Sequence, residues 1–196
     1  GALPRLGRPD PGIARDLAGR GLQVLLCEQD DLASHTSSCS TKLIHGGLRY
    51  LEQYEFSMVK KALAEREVLL KSAPHIMWPL RFVMPHDPGP NSSSRPVWMI
   101  RAGLFLYDHL ARRELLAGSS TIDLRQHPAG APLKRGFTKG FVYSDGWVDD
   151  ARLVVLNALD AVEHGATVLT RWRCIDAQRS PAQWQVRLQS SQGQTL

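Results

Sequence analysis

The stretch GIARDLAGRGLQVLLCE, Gly12 to Glu28, constrains the fold more than any other part of the chain. Ile13, Ala14, Leu17 and Ala18 recur at helical spacing, and Gly19 and Gly21 are placed to end a short helix. Asp10 and Pro11 suit its start, an oxygen-bearing cap followed by a proline in the first turn. Leu22 to Glu28 follows at once as a nearly continuous apolar run closed by an acid, the pattern of a strand buried on both faces. Helix, tight turn and buried parallel-type strand form the second half of a βαβ unit, which sets the fold class as α/β. A carboxylate ending such a strand can accept hydrogen bonds from the ribose hydroxyls of a dinucleotide, and Glu28 stands there; surface strands also end in glutamate for no such reason.

The rest of the chain supports the same class. Phe56 to Lys71 predicts an amphipathic helix with Met58, Val59, Ala62, Leu63, Leu69 and Leu70 on its apolar side, stopped by Pro74. MPHDPGPNSSSRP, Met84 to Pro96, predicts an exposed loop. Val97 to Arg113 is apolar but too short to span a bilayer; it reads as a core helix, with a helix lying on a membrane surface as the alternative. Arg112 to Lys139 is mostly irregular. A second helix begins near Asp149, where Asp149 and Asp150 suit the positive N-terminal end, and leaves at Gly165. Asp149, Asp150 and Arg152 are expected to form the helix start and a structural ion pair. ATVLT and WQVRLQ read as strands, the second with Trp184, Val186 and Leu188 on one half-exposed face, and SSQGQ reads as a hairpin turn. A hairpin whose return strand is barely begun at Leu196 leads to the expectation that the chain is a fragment.

Composition narrows the partners. The 196 residues carry a net charge of +5 and a pI near 9.4, which favours anionic ligands. The basic residues are scattered and no zinc-finger or RNA-binding signature occurs, so nucleic acid is not an expected partner. Cys27, Cys39 and Cys174 are far apart and form no CxxC pair; reduced cytosolic thiols are expected, and no metal site. The first residues contain no apolar segment of signal-peptide type.

SSCSTKLIHGGLRYLE, Ser37 to Glu52, suits neither a plain helix nor a plain strand. Ser37, Ser38, Ser40 and Thr41 offer hydroxyls that could line a phosphate or a polar cofactor tail, or simply cap a helix or turn. Gly46 and Gly47 let backbone approach a flat ring closely, or make an ordinary turn. Arg49 presents a forked cation to a phosphate or carboxylate, or to a surface ion pair. Lys42 and His45 could be polar contacts, and without a partner in view His45 reads as structural.

TSSCSTKLIHGGLRYLEQYEF, ALAEREVLLKSAPH, GLFLYDHLARR and YSDGWVDDARLV occur in an order and spacing that resemble the FAD-dependent glycerol-3-phosphate dehydrogenases, over Gly12 to Val186. The resemblance implies a partial Rossmann-like FAD-binding domain of the glutathione-reductase-like, amino-acid-oxidase-like type, with part of a substrate-facing region. Residues 1–75 would be an incomplete FAD-binding region with its following helix, 76–143 a substrate-side or cap insertion, and 144–196 a return to the FAD-binding domain. It implies oxidation of sn-glycerol 3-phosphate to dihydroxyacetone phosphate, hydride passing from substrate C2 to flavin N5 and electrons onward to quinone at the membrane. By the match, Glu28 would hold the adenosine ribose. Ser37, Ser38, Ser40, Thr41 and Lys42 would lie along the phosphate and ribityl portion of FAD. Gly46 and Gly47 would meet the isoalloxazine, and Arg49 would face the glycerol phosphate with Tyr50 beside it. The proton-abstracting base has no candidate. The implied location is cytoplasmic, peripheral on the inner face of the plasma membrane; the implied assembly leaves room for a homo-oligomer.

The chain departs from the family at its start. The family's GxGxxG turn is here GALPRLGRPDPGIA: Gly7 and Gly12 survive, Arg5 and Asp10 stand where glycine is expected, and no apolar strand precedes them. An anionic cap at Asp10 would occupy amides meant for the pyrophosphate and repel its charge. The expectation is therefore an enzyme by family whose fragment alone is inactive. Two rivals stand beside it: a catalytically inactive remnant that does not bind FAD, and an amine or amino-acid oxidase on the same fold.

Overall fold

In a computed structural model, residues 10–87, 89, 95–181 and 183–196 are described. Arg5 and Gly7, and residues 88 and 90–94 of the expected loop, lie outside them. The elements in chain order are α1 (Pro11–Gly19), β1 (Leu25–Glu28), β2 (Leu43–Ile44), a 3-10 turn (Leu48–Gln53), α2 (Phe56–Ser72), β3 (Met77–His86), α3 (Val97–His109), β4 (Ser120–Asp123), a 3-10 turn (Pro128–Gly130), β5 (Lys139–Val148), α4 (Asp150–Glu163), β6 (Thr167–Thr170), β7 (Trp172–Arg179) and β8 (Trp184–Ser190). They fall into two compact units. One joins the residues up to Thr41 with Asp149–Leu196; the other is Lys42–Val148. These boundaries follow compactness, and the divisions 1–75, 76–143 and 144–196 follow expected function.

In the first unit, β1 pairs in parallel with β6, Leu25 opposite Thr167 through Glu28 opposite Thr170. Ala14 and Ala18 of α1 meet Ala161 of α4, Ala166 and Leu26 in a small apolar core. Alanines at these positions let the helices approach closely, at little cost in side-chain entropy. α1 begins as expected: Asp10 is its cap, Pro11 occupies the first turn, and Gly21 leaves it at a φ of +80°. The strand is shorter and less buried than its apolar run suggests. Leu22 and Leu25 are more than half exposed while Leu26 is buried, because the α1 and α4 layer covers only the face toward which Leu26 points. β7 and β8 form an antiparallel hairpin with a bulge between Cys174 and Asp176, and the chain turns at Ser190–Gln194 to bridge Thr195 back to Gln189. In β8 only Leu188 is buried. Trp184 and Val186 stay exposed, since a two-stranded ribbon covers little of its own surface.

In the second unit β5 is the spine of a four-stranded antiparallel sheet. β3 pairs along its whole length, and β2 and β4 share the other edge at opposite ends. Directly opposed Trp78 and Trp147 stack at 4.1 Å, and Phe82 and Tyr143 at 5.4 Å, pairs that fix the register of β3 on β5. Met84 to His86, expected in a loop, therefore belong to β3, where their backbone groups find ladder partners. Val59 and Leu63 of α2 pack with Tyr107 of α3, and Leu48, Leu51, Leu110 and Ala111 close around them. The buried face of α2 also contains Arg66 and Glu67, which its apolar pattern does not announce. α3 is only partly a core helix: Leu104 and Tyr107 are buried, while Trp98 and Phe105 are largely exposed. Among the described residues no helix is long and apolar enough to cross a membrane, and no group of acidic, histidine and cysteine side chains could hold a metal ion.

Candidate functional site

The first unit carries Glu28 and the serine loop. Glu28 sits at the carboxyl end of β1, where ligands of parallel sheets bind, and its Oε1 accepts from the Asp30 N–H at 3.0 Å. A cavity of about 470 Å³ opens beside it, lined by Gln29, Asp30, Arg171, Arg173, Ser190 and Ser191 among others. Its polar wall is built where β1 and β6 end: the Arg171 N–H donates to the Asp30 carbonyl, and Arg171, held at a φ of +62°, pairs with Asp31.

The hydroxyls of the loop divide into two sets. The Ser38 hydroxyl donates to the His35 carbonyl at 3.1 Å and serves the turn. The Ser40 hydroxyl donates to Asp150 Oδ2 at 2.6 Å, tying the loop to the start of α4. Ser37 and Thr41 are exposed and make no side-chain hydrogen bond with the described residues. Asp149 caps α4 by accepting from the Arg152 N–H. Among the described residues the Arg152 guanidinium makes no ion pair, while Asp149 accepts from the Arg152 N–H and Asp150 from Ser40.

The second unit carries Lys42, Gly46, Gly47, Arg49 and Tyr50. Lys42 enters β2 with a φ of +57°. Both glycines have a reason inside the unit itself. A Cβ on Gly46 would run into the Leu63 side chain and the Tyr107 ring. Gly47 has a φ of +71°, and its Cβ would strike the Tyr50 ring. Their N–H groups are also used, Gly46 donating to the Tyr107 hydroxyl at 2.8 Å and Gly47 to His45 Nδ1 at 2.9 Å. His45 is thus a structural acceptor, as expected. Arg49 follows in the 3-10 turn; it is exposed, and its guanidinium makes no ion pair or hydrogen bond with the described residues. Tyr50 beside it is 44% exposed, enough to leave its ring edge open while its inner side seals Gly47.

Beneath this turn lies a charged cluster that the sequence reading missed. Asp145 Oδ1 accepts from the Tyr107 hydroxyl at 2.8 Å and from Arg66 Nη1. Burial pushes the Asp145 carboxyl above the usual carboxylate range, and the Tyr107 hydroxyl and the Arg66 guanidinium hold that rise back. Burial and the neighbouring Asp145 both raise the Tyr107 phenol, which therefore stays a neutral donor. The Arg66 and Arg113 guanidiniums both lie over the Tyr107 ring, at 5.6 and 5.8 Å from its centre. The available signal was register: Arg66 lies three residues after Leu63 and four before Leu70, inside the apolar stripe of α2.

The family model described as FAD dependent oxidoreductase (DAO) matches residues 12–195. The chain belongs to this FAD-dependent oxidoreductase family. It is 63% identical over 182 residues to a glycerol-3-phosphate dehydrogenase of Pseudomonas tolaasii, covering 93% of this chain and 34% of that protein. It is 59% identical over 180 residues to the D-erythritol 1-phosphate dehydrogenase of Brucella abortus, covering 92% of this chain and 35% of that protein. The chain thus spans about a third of the length of the curated relatives it matches. The solved glycerol-3-phosphate dehydrogenase from Bacillus halodurans, complexed with FAD, is similar in fold, with a TM-score of 0.64 and 24% identity over 95% of this chain and 29% of that one.

FAD is the family's cofactor, and the first unit fits it unevenly. Glu28 stands at the carboxyl end of a parallel strand, the position that fits the ribose side, although it does not line the neighbouring cavity. The start of α1 does not fit the diphosphate: Asp10 Oδ1 already accepts from the Gly12 N–H at 2.9 Å and sets a carboxylate where a second anion would bind.

Proposed function

We propose that this FAD-dependent oxidoreductase chain serves, in a protein of its relatives' length, the oxidation of sn-glycerol 3-phosphate to dihydroxyacetone phosphate. The observation that carries the proposal is Arg49: an exposed guanidinium, unpartnered among the described residues, on a turn braced by Gly46 and Gly47. A cation committed to no carboxylate of its own unit is available to the phosphate of a substrate, which it can grip with two parallel N–H groups. The relatives' names supply the substrate class, a polyol phosphate. When bound, the flavin supplies the hydride-accepting chemistry. The chain's own residues bind and orient: Glu28 toward the adenosine ribose, Ser37 and Thr41 with their open hydroxyls toward the phosphate and ribityl portion together with Ser38, Ser40 and Lys42, and Tyr50 beside the substrate. Residues 1–75 and 144–196 serve the cofactor, with Arg49 and Tyr50 of the first reaching the substrate, and 76–143 the substrate side. Electrons pass on to a quinone, and the +5 net charge supports a peripheral site on the inner, anionic face of the plasma membrane.

Arg49→Ala tests the assignment. In a protein of full family length the KM for glycerol 3-phosphate rises about tenfold or more while FAD stays bound, as expected when a charged hydrogen bond to phosphate is lost. An unchanged KM contradicts it. A second reading follows from the Brucella relative: D-erythritol 1-phosphate presents the same phosphate on a longer polyol. A comparison of kcat/KM for the two phosphates decides between them.

A further inference from the structure

The cluster around Tyr107 is costly to bury and the proposed chemistry makes no use of it. Arg66 is 1% exposed, Tyr107 0% and Asp145 4%, so all three are cut off from water. Buried charges of this kind are weak stabilisers, because desolvation consumes most of the Coulombic gain. What they do supply is direction. Tyr107 has one O–H, and Asp145 takes it; the remaining lone pairs accept from the Gly46 N–H. Arg66 in turn holds Asp145 Oδ1. Three elements and one loop residue converge through this chain of bonds: Arg66 from α2, Asp145 from β5, Tyr107 from α3, and Gly46 just ahead of the 3-10 turn.

We propose that Tyr107 is a positioning residue: its hydroxyl, aimed by Asp145 and Arg66, locks Gly46 and thereby fixes the direction in which the following turn presents Arg49. The function of Arg49 rests on the reading given above; the locking of the turn does not. The turn has other anchors: Ile44 pairs with Gly146 of β5 just before it, Glu52 pairs with Arg95, and the Glu55 N–H donates to the Tyr50 carbonyl. Leu48 and Leu51 pack against the Val59, Leu63 and Tyr107 cluster, and the Tyr50 N–H closes onto the Gly47 carbonyl. These contacts hold the turn together, but the Gly46–Tyr107 bond is the polar link that ties its entrance to α3. The Tyr107 ring cannot slide to follow a displaced turn, since two guanidiniums lie over it and it is fully buried.

The test uses two variants. Tyr107→Phe removes the hydroxyl and keeps the ring. Phe141→Leu removes packing volume from the fully buried core of β5 and has no bond to the turn, so it reports loss of stability alone. Hydrogen exchange of the amides of residues 46–53 is followed in the 196-residue chain. Tyr107→Phe should speed exchange there about tenfold relative to amides elsewhere in the same unit, as expected for a buried donor left without its acceptor. Phe141→Leu should change the turn no more than the rest of the unit. In a protein of full family length Tyr107→Phe should also raise the KM for glycerol 3-phosphate several-fold with little change in kcat. Equal exchange of the turn in both variants overturns the proposal. Selective loosening of the turn with no glycerol 3-phosphate oxidation by the unaltered protein leaves the positioning intact and sinks the substrate instead.

Discussion

Asp10 places a carboxylate on the amides at the start of α1, the kind of helix N-terminus that binds anions. Asp10→Ser keeps an oxygen to cap α1 and removes the charge, so helix stability should change little while FAD binds several-fold more tightly. Flavin fluorescence titration measures this; equal affinity would show that the cap does not oppose the cofactor. Asp145 carries a second residue-scale prediction. Its carboxyl is raised in the folded state, so at a pH between the two values folded protein holds a proton that unfolded protein has released. Stability linked to this group is present below the ordinary carboxylate pKa of 3.8 and is lost as pH rises through the higher folded value. Asp145→Asn should remove that decline, and urea unfolding across this pH range compares the two slopes; identical slopes contradict the direction of the shift. Such residues set the limit of what the sequence discloses. Asp10 as the cap of α1 and Gly47 as a turn glycine could be placed because both depend on neighbours in the chain. Arg66 and Asp145 could not, because each is neutralised by a residue far away in sequence.

α1, α4 and the turn between α1 and β1 were legible because caps and glycines act locally. α4 shows it most simply. Asp149 accepts from the Arg152 N–H at the first turn, and Gly165 leaves the last at a φ of +92°. Asp149→Ala should lower stability by about 1 kcal/mol, the usual cost of losing such a cap. Thermal unfolding of the 196-residue chain measures it, and an unchanged Tm would mean that Asp150 and its bond to Ser40 suffice to start the helix. Burial was less legible than helix or strand. LQVLLCE reads as fully buried, yet one face of β1 is covered and the other is not. The apolar stripe of α2 conceals two charges whose partners come from β5 and from the backbone at Glu114 and Leu115. An amphipathic pattern fixes the axis of a helix more firmly than it fixes the chemistry of the face it buries.

At the scale of the whole chain, the unit that holds Arg49 is continuous in sequence, and the unit that holds Glu28 is assembled from segments on both sides of it. That interleaving escapes a left-to-right reading, which sees helix, strand and loop in succession. The family was legible for a different reason: long stretches of the chain resemble it, and the family model spans residues 12–195. Substrate identity belongs to this scale too, because it draws on relatives three times as long as the chain. The direct measurement is flavin absorbance during anaerobic addition of substrate, in a protein of that length containing these residues. The flavin bands should fade on adding glycerol 3-phosphate and persist with glycine or D-alanine. A protein that takes up no flavin, or whose flavin is bleached by the amino acids and not by the phosphate, contradicts the account.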